Sequence, residues 1–177
     1  MPLPEPAERE AVHLREIRCQ GFRRADGLWD IEGRMTDTKS YGFDSRYRGR
    51  VEAGTPVHDM HMRMTLDENL EVRAIAVASD DHPFPNCAAI ESAYQVLVGT
   101  RLAPGWTRLV RERLGGVAGC THLTRLVQEL AVVAVQTIMP LRSRDEAVTE
   151  GAKTKPSHLD GCHALATDGP IVREIAP

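Results

Sequence analysis

One change of pattern constrains this chain most: it reads as strands before Pro85 and as helices after it. MHMRMTL (60–66) alternates with period 2. Met60, Met62, Met64 and Leu66 point one way; His61, Arg63 and Thr65 point the other. DEN (67–69) marks a turn, and LEVRAIAVAS returns as the next strand. Upstream, HLREIRCQGFRR alternates loosely and ADG (25–27) is a hairpin signal. In LWDIEGRMTDT, Trp29, Ile31, Gly33 and Met35 share one side; Leu28, Asp30, Glu32 and Arg34 share the other. Residues 39–54 are polar and rich in Gly, Arg and Tyr, which suits a loop or an exposed edge. Beyond Pro85, CAAIESAYQVLVG has helical spacing, with Asn86 as N-cap and Gly99 as the stop. Pro104 opens a short helix through Leu114. From Thr121 a long helix puts Leu123, Leu126, Val127, Leu130, Ala134 and Ile138 on one face, and Pro140 is expected to close it. Strands followed by helices predict an α+β fold: an antiparallel sheet with helices packed on one face.

The 177 residues suit one domain with loose ends. Its expected bounds are a flexible arm at 1–11, a single α+β domain at 12–140, and a linker and tail at 141–177. The tail carries a short strand signal at Ile171–Val172 and can fold back on the domain. A net charge of −3 points away from nucleic acid and from membrane surfaces. The longest apolar run, Leu130 to Met139, is interrupted by Gln136 and Thr137 and falls short of the roughly 20 residues a span needs. MPLPEPAERE has no apolar core of a signal peptide, so a cytoplasmic protein with reduced cysteines is expected.

The chemistry-bearing residues come in short stretches: GTPVHDMHMRM with His58 and His61, PFPNC with Cys87, GGVAGCTHL with Cys120 and His122, and DGCHAL with Cys162 and His163. Thiolate and imidazole are the ligands of zinc and iron–sulfur centres. No two stretches form a tight CxxC pair, so a site must be assembled by the fold. Cys87 and Cys120 each precede a helix, where the helix dipole lowers a thiol pKa. His58 shares parity with Met60 and Met62 and so faces the helices; His61 faces away. The methionines are explained as core, and Cys19, on an early strand, likewise. GGVAG (115–119) lacks a Walker lysine and follows no strand, so it is no phosphate loop. The stretch with Arg23, Arg24, Asp26, Trp29, Asp37 and Lys39 reads either as a binding surface for a small anionic ligand or as salt bridges on a half-exposed sheet.

Two resemblances rest on these residues. DGLWDIEG (26–33), DTK (37–39), GTPVHDM (54–60), GCTHL (119–123) and the DGCHAL tail (160–165) resemble a bacterial family of uncharacterised proteins, covering nearly the whole chain. Residues 54–135 are similar to the iron–sulfur scaffold fold of the NifU N-terminal, IscU-like type. The similarity runs through Gly54, Pro56, His58 and Met62, the turn at 67–69, Cys87 before a helix, and Cys120–Thr121 with Leu123 before the last helix. It implies a NifU/IscU-like core with His58, Cys87 and Cys120 at metal-ligand positions. Beside it, the residues themselves offer a fourth ligand: His122, which reads equally as a base for Cys120 or a helix-surface residue, or Cys162, whose tail reads equally as a packed terminal segment. His58 stands where the scaffold has its first cysteine and Gly119 where it has a histidine. Asp59 sits one place earlier than the aspartate that favours cluster release. The resemblance thus implies held zinc or iron, mononuclear or iron–sulfur, rather than a cluster handed on.

Three functional readings follow. The first is a metal-binding protein using His58, Cys87 and Cys120. Another is a metal-free thiol enzyme with Cys120 as nucleophile and His122 or His58 as base. The third is a non-catalytic module that binds an anion or a partner.

Overall fold

The structure, a computed structural model, describes residues 3–150 and 161–175. Strands β1 (His13–Arg23), β2 (Trp29–Lys39), β5 (His58–Leu66) and β6 (Val72–Asp81) form an antiparallel sheet in the order β1-β2-β5-β6. Between β2 and β5 the chain makes a small separate hairpin, β3 (Phe43–Ser45) and β4 (Gly49–Val51). A 3-10 helix (Cys87–Leu97), α1 (Trp106–Leu114), a 3-10 turn (Gly116–Ala118) and α2 (Thr121–Glu150) follow. The α+β class and the strands-then-helices order are as expected.

Alternation builds the core. In β2, Trp29, Ile31, Met35 and Asp37 are buried while Arg34 between them is exposed. Met60, Met62, Met64 and Leu66 of β5 sit directly opposite Met35, Gly33, Ile31 and Trp29. This apolar face meets the stripe of α2: Leu123, Leu126, Val127, Leu130, Ala134 and Ile138 are all fully buried. The approach is close because two facing positions lack a side chain. A Cβ on Gly33 would lie 2.8 Å from Leu130 Cδ2 and 2.9 Å from Leu126 Cδ1, and one on Gly21 would run into Thr137. The other sheet face is solvated and laced with charge: Arg34 pairs with Asp59 and Arg63 with Glu32.

Several elements depart from expectation. Residues 39–54, expected as a loop or an exposed edge, hold a separate β3–β4 hairpin; Gly49, at φ 68°, supplies its turn. The stretch after Pro85 is a 3-10 helix, and the Asn86 side chain makes no capping bond; Gly99, at φ 78°, does follow its end. Pro140 does not close α2, which runs on to Glu150, so the expected linker begins as helix. Proline removes one N–H and crowds the carbonyl four residues back, but Leu141–Glu150 are mostly good helix formers and carry the helix on. The strand expected at Ile171–Val172 is a short helix, α3 (Pro170–Ile175), with proline at the first helical position, where its fixed φ is favourable.

The chain divides into two compact units, Met1–Ile138 and Met139–Pro177, with the division inside α2. The first contains the sheet, the 3-10 helix and α1; the second contains α3. Among the described residues, no helix is long and apolar enough to cross a membrane.

Candidate metal centre

Register sets the site. Arg15 lies opposite Asp37 across β1–β2, and Asp37 lies opposite His58 across β2–β5. One row across three strands therefore reads Arg15, Asp37, His58, on the helix-covered face. Parity keeps Asp37 inside: it continues the face of Trp29, Ile31 and Met35, and it is 1% exposed.

A buried carboxylate is costly unless paired and hydrogen-bonded. Asp37 is both. Arg15 donates to it from Nε and Nη2, each at 2.7 Å. His58 Nδ1 is 3.0 Å from Oδ2, and His13 Nε2 is 3.2 Å from Oδ1. His122, in the first turn of α2, brings Nε2 to 3.7 Å from Oδ2. Its ring stacks on that of His58, with centroids 3.8 Å apart. Burial pushes the Asp37 carboxyl up, but Arg15, through hydrogen bonds and charge, with His58 and His122, holds it below the usual carboxylate range. Burial, aided by the charge of His122, pushes His58 below the ordinary histidine value despite Asp37.

Supporting contacts hold the ligand-bearing segments. Arg48 of the β3–β4 turn donates to Pro56 O at 2.8 Å and to Asp81 at 2.7 Å, tying down the stretch before His58. Val57 N–H donates to Asp37 O. The fully buried Tyr94 fixes the start of α2: its hydroxyl accepts the Cys120 N–H at 3.1 Å and lies 2.8 Å from Thr124 Oγ1.

Asp37, His58 and His122 each offer a ligand atom, all within 4.8 Å of one another. A second such group, Asp59, His61 and Asp80, lies around the opposite, solvated face, and its Asp80 side chain is 65% exposed. Of the residues singled out from sequence, His58 and His122 are brought together. Cys120 is adjacent: its Sγ lies 3.8 Å from Nδ1 of His122, the ring nitrogen on the other side from Asp37. Burial pushes the Cys120 thiol up, but hydrogen bonds from the His122 side chain and the Leu123 and His122 amides more than offset it, and its pKa is lowered. Cys87 and Cys162 join no group of three metal-capable side chains among the described residues; Cys162 is exposed, in the second unit. Cys19 lies on the inner face of β1, near Gly33, half-buried. Sequence reasoning placed Asp37 in a polar surface stretch. Extending the β2 alternation two residues past Met35 would have put it inside.

Residues 13–136 match the family described as "Protein of unknown function (DUF2889)". The chain belongs to that family. The DUF2889 match begins at His13 and ends within α2, so it contains Arg15, Asp37, His58, Cys87, Cys120 and His122, and leaves out Cys162. No curated protein and no solved structure matches the chain. Within the DUF2889 region β5 and β6 are paired, and the 3-10 helix starting at Cys87, α1 and α2 follow in that order.

Proposed function

We propose that this protein holds one divalent metal ion, zinc or mononuclear iron, through Asp37, His58 and His122. The observation that carries the reading is the convergence of two imidazoles and one buried carboxylate from β2, β5 and α2 on one point. Two histidines and a carboxylate with further positions open is a ligand set for non-haem iron and for catalytic zinc. The lowered pKa of His58 favours the neutral ring that ligation needs. Arg15 holds Asp37 from behind, and a carboxylate has lone pairs enough for both a guanidinium and an ion. Arg15 also cancels the carboxylate charge, so an ion here would keep most of its own. Its open positions would then favour a small anionic ligand, with the ion acting as Lewis acid. Relative to the ligand set implied by the scaffold resemblance, this reading keeps His58 and His122 and puts Asp37 in place of the cysteines. Cys120 becomes the partner of the other His122 ring nitrogen, in the place where a ligating histidine more often has a carboxylate, a carbonyl or water.

Cobalt substitution tests the ligand set. Oxygen and nitrogen ligands give weak visible bands. An intense near-ultraviolet sulfur-to-cobalt band that disappears in Cys120→Ser would instead make Cys120 a ligand and overturn the set.

One observation favours a second reading. Cys120 Sγ, His122 and Asp37 form a line at 3.8 and 3.7 Å, the order of a thiol–imidazole–carboxylate catalytic triad. In that reading the protein is a metal-free enzyme and His122 is the base. Chelated protein should then lose Cys120 to iodoacetamide faster than Cys87, and His122→Ala should abolish the difference. Equal rates would remove the triad reading.

A further inference from the structure

Among the described residues, the edge of the sheet is unpaired along its full length at β1. This strand is eleven residues long, stands at the end of the strand order, and is exposed at all positions but Cys19 and Gly21, which are half-buried. Among the described residues, β1 makes backbone ladder bonds to β2 alone. The opposite edge, β6, differs. There Gln95 donates to Ile75 O, and Val72 exchanges backbone bonds with Gly99 and Thr100. Long, uncovered edge strands are what other chains pair with, and soluble proteins commonly blunt them.

The side chains of β1 point to one occupant. On the outer face Glu16 and Arg18 have no ion-pair partner among the described residues. Arg18 is moreover directly opposite another cation, Arg34, whose own charge is taken up by Asp59. A second β1, antiparallel and centred on Ile17, would set Glu16 of each chain against Arg18 of the other. The same register brings exposed Val12 against exposed Phe22, and exposed Ile17 against its own copy. Shifting the register by two residues either way faces Glu16 with Glu16 or Arg18 with Arg18. Shifting it by one puts inward side chains opposite outward ones. The edge is therefore self-complementary in a single register, as a twofold interface requires.

We propose that this protein forms a homodimer through antiparallel β1–β1 pairing, which joins the two four-stranded sheets into one. The dimer does not depend on the metal reading. Charge exchange tests it, read by sedimentation of the full chain from micromolar to submillimolar concentration. Glu16→Arg alone and Arg18→Glu alone each make both symmetry-related pairs repulsive. Each is expected to weaken the dimer by roughly tenfold or more. The double exchange restores opposite charges and is expected to return the dimer to near wild-type strength. Both positions are exposed, so circular dichroism should show the fold intact in every variant. A wild-type protein that stays monomeric across the range overturns the proposal, and so does a dimer that the single exchanges leave unchanged.

Discussion

Asp37 is charged, 1% exposed, and ringed by Arg15, His13, His58 and His122. The directions of its shift and that of His58 give a pH dependence for metal-free protein. The folded His58 pKa lies below its ordinary 6.5, so the unfolded chain binds the proton first, and stability falls as pH drops through about that value. The folded Asp37 pKa lies below its ordinary 3.8, so its contribution is present above that value and is lost as pH falls through the folded pKa. Both act in the same direction. The melting temperature of chelated protein should decline from pH 7 to pH 5, and His58→Gln should flatten that decline. An unchanged slope in His58→Gln would assign the acid sensitivity elsewhere. The triad reading makes its own prediction at this scale, the preferential alkylation of Cys120 over Cys87.

At the scale of elements, the close approach of α2 to β2 rests on the missing side chain at Gly33, which faces Leu126 and Leu130. Gly33→Val should overfill this contact and cost about 1–3 kcal/mol of stability. The check is the denaturant midpoint, and an unchanged midpoint would mean the helix can shift without loss. Because α2 carries His122, the same variant should also weaken metal binding. The elements were largely legible in the sequence because their signals are local. Period 2 in β2 and β5 and the apolar stripe of α2 each need only a short window. What was missed depends on competition between signals. Pro140 is a strong local stop, yet the helix-forming residues after it outweigh one lost hydrogen bond. The β3–β4 hairpin is too short and polar to show a pattern; it is held by its turn and by Val51, which is buried.

At the scale of the molecule, the candidate site is a product of register, which no single stretch displays. Arg15, Asp37 and His58 come from three strands and meet because of how those strands align; His122 arrives from a helix more than sixty residues further on. The histidines could be picked out because the scaffold resemblance marks His58 and because His122 neighbours Cys120. Asp37 could not be picked out by residue type, since carboxylates are common on exposed strands; only its parity gave it away. The cysteines attracted attention as soft ligands, but the fold places Cys120 behind His122 and leaves Cys87 and Cys162 outside the group. The central claim is that Asp37, His58 and His122 hold one ion, and metal analysis of tag-free protein tests it most directly. Wild-type protein, refilled with zinc or iron and freed of excess, should carry about one ion per chain. Asp37→Asn, His58→Ala and His122→Ala should each carry little, and Cys87→Ala should match wild type. Wild-type protein that retains no ion, or loss of the ion in Cys87→Ala with retention in Asp37→Asn, would contradict the account.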